Sequence, residues 1–279
     1  MDTRQIKEIM PEIIRIACKA GEKILKVKQR ALERVEFKID GSPVTMADRL
    51  AHEEIKMGIE RISSLPILSE EGDLEKVKDE ISKSSDELFW LVDPLDGTKE
   101  FLKELGEYTV NIALVKSNTP ILGVIQAPEL ETVWSSLSGR GAFVKRKGKN
   151  SERIEASHEV SKIRVVASRS HFSDETKRFV NSIEKHFGQV ELVHKGSSLK
   201  LCVLAEGQAE IYPRIGPTMI WDTAAGYAVA KEAGCELTDL QGQPLSYAPT
   251  GDLRQKNFIA YTRMTSKVSK VVEEILDSR

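Results

Sequence analysis

The stretch Leu88–Leu102, LFWLVDPLDGTKEFL, constrains this chain more than any other. It opens as an apolar run, Leu88-Phe89-Trp90-Leu91-Val92, short, aromatic and β-branched, which reads as a buried strand. Asp93-Pro94 then ends it abruptly, because Pro94 lacks the ladder donor that further pairing needs. Two carboxylates, Asp93 and Asp96, stand three residues apart, followed by Gly97 and Thr98. A strand end that delivers acids, a glycine and a hydroxyl into a turn is poor core material. It suits a metal and phosphate site. The plain alternative is a strand followed by a polar Asp-Gly turn, and the other acidic stretches must decide.

The flanking sequence reads as alternating elements. Ile6, Ile9, Ile13, Ile16, Ala17, Ala20, Ile24 and Val27 recur at helical spacing, giving one amphipathic helix over about residues 4–32, with Pro11 marking a start or kink. Gly41-Ser42-Pro43 punctuates the chain, and Thr45 opens a second helix to about Ile62. Asp48 follows Thr45 by three residues, a capping-box spacing in which the acid favours the helix N-terminus. Leu65–Leu68 is a short strand ending in Ser69-Glu70-Glu71-Gly72. Residues 75–87 read as a charged surface loop with some helix. Strands at Tyr108–Val115, Pro120–Ile125, Thr132–Trp134 and Gly141–Val144 suggest an antiparallel sheet against the first two helices, and Lys145–Glu159 reads as a domain connection. Beyond it, strands near 163–167, 190–193, 209–212, 236–238 and 257–260 alternate with helices at 174–187, 198–205, 222–233 and 265–278. The fold class expected is α+β, a layered α/β sandwich.

Composition removes several classes of function. With 279 residues, the chain can bury roughly three quarters of its unfolded surface without staples. Lys+Arg 41 against Asp+Glu 43 leaves a net charge of -2, so there is no basic excess to draw it onto nucleic acid or an anionic membrane. Any anionic ligand must be held by local charge or metal. Cys18, Cys202 and Cys235 have no C-x-x-C spacing and fit reduced cytosolic thiols. MDTRQIKEIM is charged and carries no secretory signal, and no apolar run approaches the ~20 residues that span a bilayer. A soluble, cytoplasmic protein is expected, with peripheral membrane association left open.

Four acidic points stand out: Asp48, Glu70, the Asp93/Asp96 pair, and Asp222 in Trp221-Asp222-Thr223-Ala224-Ala225-Gly226, where the plain reading is an N-cap. Carboxylates gathered at element ends suit a hard cation with oxygen ligands, Mg²⁺ rather than zinc. Gly97 and Thr98, at a helix start, can offer backbone N–H groups to phosphate. The spacing D-P-L-D-G-T is one residue longer than the D-x-D-G-T that presents a nucleophilic aspartate. It favours attack by water activated at a metal site.

Asp93-Pro94-Leu95-Asp96-Gly97-Thr98 resembles the signature of the inositol monophosphatase and fructose-bisphosphatase superfamily. Trp221–Gly226 with Glu232-Ala233-Gly234 resembles its second signature, departing at Cys235. Leu68–Glu71 and Ser42–Asp48 match its two N-terminal motifs in order. Lys99-Glu100-Phe101, Ser168-Arg169-Ser170-His171, Gly196–Lys200 and Tyr212-Pro213-Arg214 resemble the CysQ-type 3′(2′),5′-bisphosphate nucleotidase branch. Leu95, Lys99 and Glu100 depart from the simple inositol phosphatases.

This resemblance implies two or three Mg²⁺ ions held by Glu70, Asp93, Asp96, Asp222 and the Leu95 carbonyl, with Asp48 and Thr98 orienting and deprotonating the attacking water. It implies that Glu70, Leu95, Asp96, Gly97, Thr98 and Asp222 meet the substrate. A second phosphate falls to Ser168, His171, Ser197 and Lys200, with Gly196 also meeting the substrate, although Lys200 alone would read as a solvated helix lysine. The implied layout is an N-terminal α+β domain, 1–157, with most metal ligands, and a C-terminal α/β domain, 158–279, with Asp222 and the second phosphate site. The implied reaction is 3′-dephosphorylation of adenosine 3′,5′-bisphosphate to AMP, with the 5′-phosphosulfate analogue as a second candidate substrate, by a monomer or homodimer. An inositol or sugar-phosphate phosphatase is the neighbouring alternative. A non-catalytic nucleotide sensor is the remote one.

Overall fold

The computed structural model describes residues 1, 3–33, 43–83, 87–103, 105–158, 162–168, 173–263 and 266–277. Its helices are α1 Thr3–Glu33, α2 Pro43–Glu60, α3 Leu74–Ser82, α4 Thr98–Leu102, α5 Asp174–Phe187, α6 Leu199–Ala205, α7 Ile220–Glu232 and α8 Ser266–Asp277. Strands β1 Ile67–Ser69, β2 Leu88–Asp96, β3 Thr109–Lys116, β4 Thr119–Ala127, β5 Thr132–Leu137, β6 Gly141–Arg146 and β7 Glu152–Ile154 form the first sheet in sequence order. It is antiparallel apart from the β1/β2 pair. The second sheet holds β8 Arg164–Ser168, β9 Glu191–Lys195, β10 Ile211–Arg214, β11 Cys235–Asp239 and β12 Phe258–Thr262, ordered β11-β12-β10-β8-β9.

The layers follow from which strand faces are apolar. Trp90, Val92, Val110, Ile112 and Val124 face the stripe of α1 and α2 built from Ile13, Ile16, Ile24, Ile55 and Ile59. The alternate residues Phe89, Leu91, Ala113, Val115 and Ile125 face α6 and α7. α7 is apolar nearly all round, and all but three of its thirteen residues are buried. A helix of that kind belongs between two layers, and α7 lies between the sheets. The far face of the second sheet, with Val165, Ile211 and Ile259, packs on α5 and α8. The result is the expected sandwich, helix–sheet–helix–sheet–helix. Gly123 shows how tightly β4 meets α7: a Cβ there would come within 2.4 Å of the Ala225 carbonyl oxygen.

Several local expectations change. α1 runs through Pro11, so that residue does not start the helix, whose apolar stripe is buried on both sides of it. α2 begins at Pro43, the first-turn position proline favours. Asp48 therefore sits in the second turn instead of the capping position. β2 does not stop at Pro94: Asp93 pairs with Asn111 and Asp96 with Thr109, so Pro94 and Leu95 together face one residue of β3. This bulge removes Pro94 from the ladder without ending the strand. The Leu95 N–H donates to Asp93 Oδ1 at 3.0 Å and pins it. The segment 74–82 is a regular helix, capped by Asp73 Oδ1 accepting from the Lys76 N–H. Residues 152–154, expected in a connection, form edge strand β7.

Candidate active site

The acidic residues gather where strands of the first sheet end. β1 and β2 run parallel, so Glu70, just past β1, and Asp93–Asp96, closing β2, emerge side by side, and the Glu70 N–H donates to the Val92 carbonyl at 3.2 Å. Asp48 joins them from α2, which packs against α4, the helix that Thr98 opens. Asp222 comes from the first turn of α7. It is not the N-cap: Met219 holds that place, and Asp222 Oδ2 accepts from the Met219 N–H at 3.0 Å and the Thr218 hydroxyl at 2.7 Å. Asp96 Oδ2 accepts from the hydroxyls of Ser197 and Ser198 at 2.6 and 3.1 Å. Five carboxylates from four separate segments thus share one place.

Their electrostatics are mutually unfavourable. Burial, then Glu71 and Glu70, push Asp48 up to about 7. Burial, then Asp222, Glu71 and Asp96, push Glu70 to about 7, and burial with Asp96 takes Asp222 to about 6. Asp93, 1% exposed, is also raised well above the usual carboxylate range, by burial and then by Asp96, Asp222, Glu70 and Asp48. None of the five forms an ion pair among the described residues. Carboxylates crowded in this way repel one another unless protonated or bound to a cation. This donor set, all oxygen and buried, fits a hard divalent cation. As the side chains stand, no three Asp, Glu, His or Cys residues among those described are spaced to hold a metal ion. The fit is therefore one of chemistry and burial, not of preformed coordination distances.

A cleft opens beside the acids, lined by Asp96, Gly97, Thr98, Lys99, Glu100, Ser168, Ser197, Ser198, Lys200, Tyr212, Arg214, Thr218 and Asp222 among others. Ser168 ends β8, and Tyr212 and Arg214 lie on β10. Gly97 takes φ +94°, and a Cβ there would press within 3.2 Å of the Glu107 carbonyl and of Ser197 Cβ. Ser197 is itself left-handed at φ +51°, a conformation rare for a residue with a side chain. Lys200 is not the solvated helix lysine its sequence context suggests. It is 8% exposed, its Nζ donates to the Ser197 carbonyl at 2.6 Å, and it lies 6.0 Å over the Tyr212 ring. Burial lowers its pKa to about 8, against the opposing pull of Asp96.

Gly196 stands behind the wall, its N–H donated to Glu107 at 2.9 Å. A Cβ there would meet Glu100 Cγ at 2.6 Å, so the glycine lets the buried Glu100 pass. Leu95 is buried in the bulge. His171 lies outside the described residues. Sequence reasoning missed Glu107, Thr109, Asn111 and Thr218, and it noted Ser198 and Arg214 only as parts of motifs. Thr218 precedes Asp222 by one helical turn, which was a readable signal.

A layered sandwich with buried acids at the mouth of a cation-lined cleft defines a class, and the comparisons agree with it. The sequence profile of the inositol monophosphatase family matches residues 5–276. The chain belongs to that family and is a phosphatase of its superfamily. It is 42% identical over 247 residues to the 3′(2′),5′-bisphosphate nucleotidase CysQ of Escherichia coli strain K12, covering 86% of this chain and 94% of that one. The crystal structure of CysQ from Bacteroides thetaiotaomicron superposes with TM-score 0.81 at 39% identity, over 90% of this chain and 96% of the other. The inositol monophosphatase of Anabaena shares the fold, with TM-score 0.71 at 24% identity over 98% and 96% of the two chains. The motif resemblance thus extends over nearly the whole chain.

Proposed function

We propose that the protein is a Mg²⁺-dependent phosphomonoesterase that removes the 3′-phosphate of adenosine 3′,5′-bisphosphate, giving AMP and phosphate, and that also accepts the 5′-phosphosulfate analogue. The observation that carries this reading is Lys200, a buried ammonium across one cleft from a cluster of unpaired acids. A substrate with a single phosphate has no use for both. A substrate with two anionic groups places one at the acids, through metal, and the other beside Lys200, Arg214 and Ser168. The nucleotidase names of the relatives support the nucleotide.

In this reading Glu70, Asp93, Asp96, Asp222 and the Leu95 carbonyl hold two or three Mg²⁺ ions. Bound there, the cations supply Lewis-acid charge to the phosphoryl oxygens and lower the pKa of water. Asp96 and Asp222 are suited to this, because donors occupy only Oδ2 of each among the described residues. Asp48, with a pKa near neutrality, accepts the proton of the attacking water, relayed by the Thr98 hydroxyl. Gly97 and Thr98 meet the phosphate from their place on the cleft wall. Water adds to phosphorus as its proton passes to Asp48, the P–O3′ bond breaks, and the ribose oxygen leaves, taking up a proton from solvent. No helix of the described residues is long and apolar enough to cross a membrane; a cytoplasmic enzyme acting as monomer or homodimer is part of the same proposal.

The test compares turnover, with Mg²⁺, of adenosine 3′,5′-bisphosphate, inositol 1-phosphate and fructose 1,6-bisphosphate. The nucleotide should have the highest kcat/KM. A preference for inositol 1-phosphate would assign the protein to the neighbouring branch.

A further inference from the structure

Polar side chains inside a central strand need partners. β3 carries two, Thr109 and Asn111, 0% and 1% exposed. Two residues apart, they share the sheet face that looks toward α6 and α7, while Val110 and Ile112 face the α1/α2 core. Thr109 Oγ1 lies 2.6 Å from Ser197 Oγ and 2.9 Å from Asn111 Oδ1. Asn111 Nδ2 donates to Ser198 Oγ at 2.9 Å. The two serine hydroxyls reach Asp96 Oδ2, and Ser198 also reaches the Asp222 carbonyl at 2.7 Å.

The supply of hydrogens orients this cluster. Thr109, Ser197 and Ser198 hold one hydroxyl hydrogen each. Their contacts outnumber those hydrogens: Asp96 Oδ2 from both serines, the Asp222 carbonyl, Asn111 Oδ1, and the Thr109–Ser197 pair. By distance, Ser197 directs its hydrogen at Asp96 Oδ2 at 2.6 Å, and Ser198 shares its hydrogen between the Asp222 carbonyl at 2.7 Å and Asp96 Oδ2 at 3.1 Å. Each serine oxygen is then open to a donor, which Thr109 supplies to Ser197 and Asn111 to Ser198. Two parallel chains result, Thr109 to Ser197 to Asp96 and Asn111 to Ser198 to Asp96, converging on one carboxylate oxygen. Successive donors in such chains polarise one another.

We propose that Thr109 and Asn111 are positioning residues of the site. From the first sheet they fix the Ser197 and Ser198 hydroxyls on Asp96 Oδ2, which leaves the other oxygen of Asp96 for the cation. They also lock the left-handed turn at Ser197, whose carbonyl receives Lys200. Neither residue lines the cleft, so neither acts on substrate directly. The inference rests on Asp96 as a cation ligand.

The test is Mg²⁺ affinity by titration calorimetry on substrate-free protein, alongside kcat. Thr109→Val keeps the shape and removes the hydroxyl. Thr109→Ser returns the hydroxyl and loses the methyl. Thr109→Val should weaken Mg²⁺ binding about tenfold or more, the usual cost of removing a partner behind a metal ligand, and Thr109→Ser should restore it. A packing role gives the opposite order, with Thr109→Ser more damaging than the isosteric Thr109→Val. Should Thr109→Val not fold, Asn111→Val carries the same test through the second chain, with the same loss expected. Wild-type protein that takes up no Mg²⁺ would overturn the metal reading itself. Wild-type and variants that bind it equally would overturn only the positioning role.

Discussion

At the scale of single residues, the buried acids dominate. A carboxyl whose folded pKa lies above its unfolded value binds its proton more tightly in the folded state. It therefore stabilises the fold below its unfolded value, about 4, and that contribution is lost as pH rises through the folded value. Asp48 and Glu70 near 7 and Asp222 near 6 place this loss between about pH 4 and 7. In EDTA the melting temperature should fall across that window. Added Mg²⁺ should raise it more at pH 8, where the acids are free to bind, than at pH 5. Equal Mg²⁺ shifts at the two pH values, measured by scanning calorimetry, would contradict the assignment of these acids. Asp48→Asn should lower kcat about 100-fold or more, the ordinary weight of a general base. Full turnover in that variant would remove Asp48 from water activation. Lys200→Met should raise KM for a bisphosphate substrate about tenfold or more, the size of a lost charged hydrogen bond. Turnover of a single-phosphate substrate, measured in parallel, should change little.

At the scale of elements, the bulge in β2 and the close approach of α7 to the first sheet set the site. The bulge lets Asp93 and Asp96 leave one strand at different registers of β3, beside Asn111 and Thr109 respectively. α7 delivers Asp222 only because β4 admits it at Gly123. Gly123→Ala would drive a methyl against the Ala225 carbonyl, so it should cost about 3 kcal/mol in denaturant unfolding, as overpacking does. At the other end of α7, the Glu232 carboxylate accepts the N–H groups of Gly139, Arg140 and Gly141 at 3.0, 3.2 and 2.8 Å and closes the β5–β6 turn. These elements explain what the sequence disclosed. Strands and helices of regular periodicity were legible, and the acids Asp48, Glu70, Asp93, Asp96 and Asp222, each ordinary alone, stood out as a set gathered at element ends. Thr109 and Asn111 were hidden, because polar residues at alternate positions of a strand look like a solvent face. Here that face meets a second layer whose hydroxyls come from some 90 residues later in the chain. The burial of Lys200 was hidden for the same reason: α6 is covered on all sides only after the two sheets stack around it.

At the scale of the whole molecule, the site exists because two sheets present different chemistry to one cleft. The first sheet and α2 bring the acids. The second sheet, with the β9–α6 turn, brings Ser168, Arg214, Ser197 and Lys200. The hydroxyl cluster around Asp96 joins the two, so under the proposed function it would hold the cation and the second anionic group in fixed relation. The proposed selection of a substrate with two anionic groups rests on that spacing, since the net charge of -2 offers no overall attraction for anions. The most direct measurement follows adenosine 3′,5′-bisphosphate by ³¹P NMR with purified protein, in Mg²⁺ and again in EDTA. In Mg²⁺ the spectra should show AMP with its 5′-phosphate intact and one equivalent of inorganic phosphate, and EDTA should abolish the release. Formation of the 3′-monophosphate instead, or release that continues unchanged in EDTA, would contradict it.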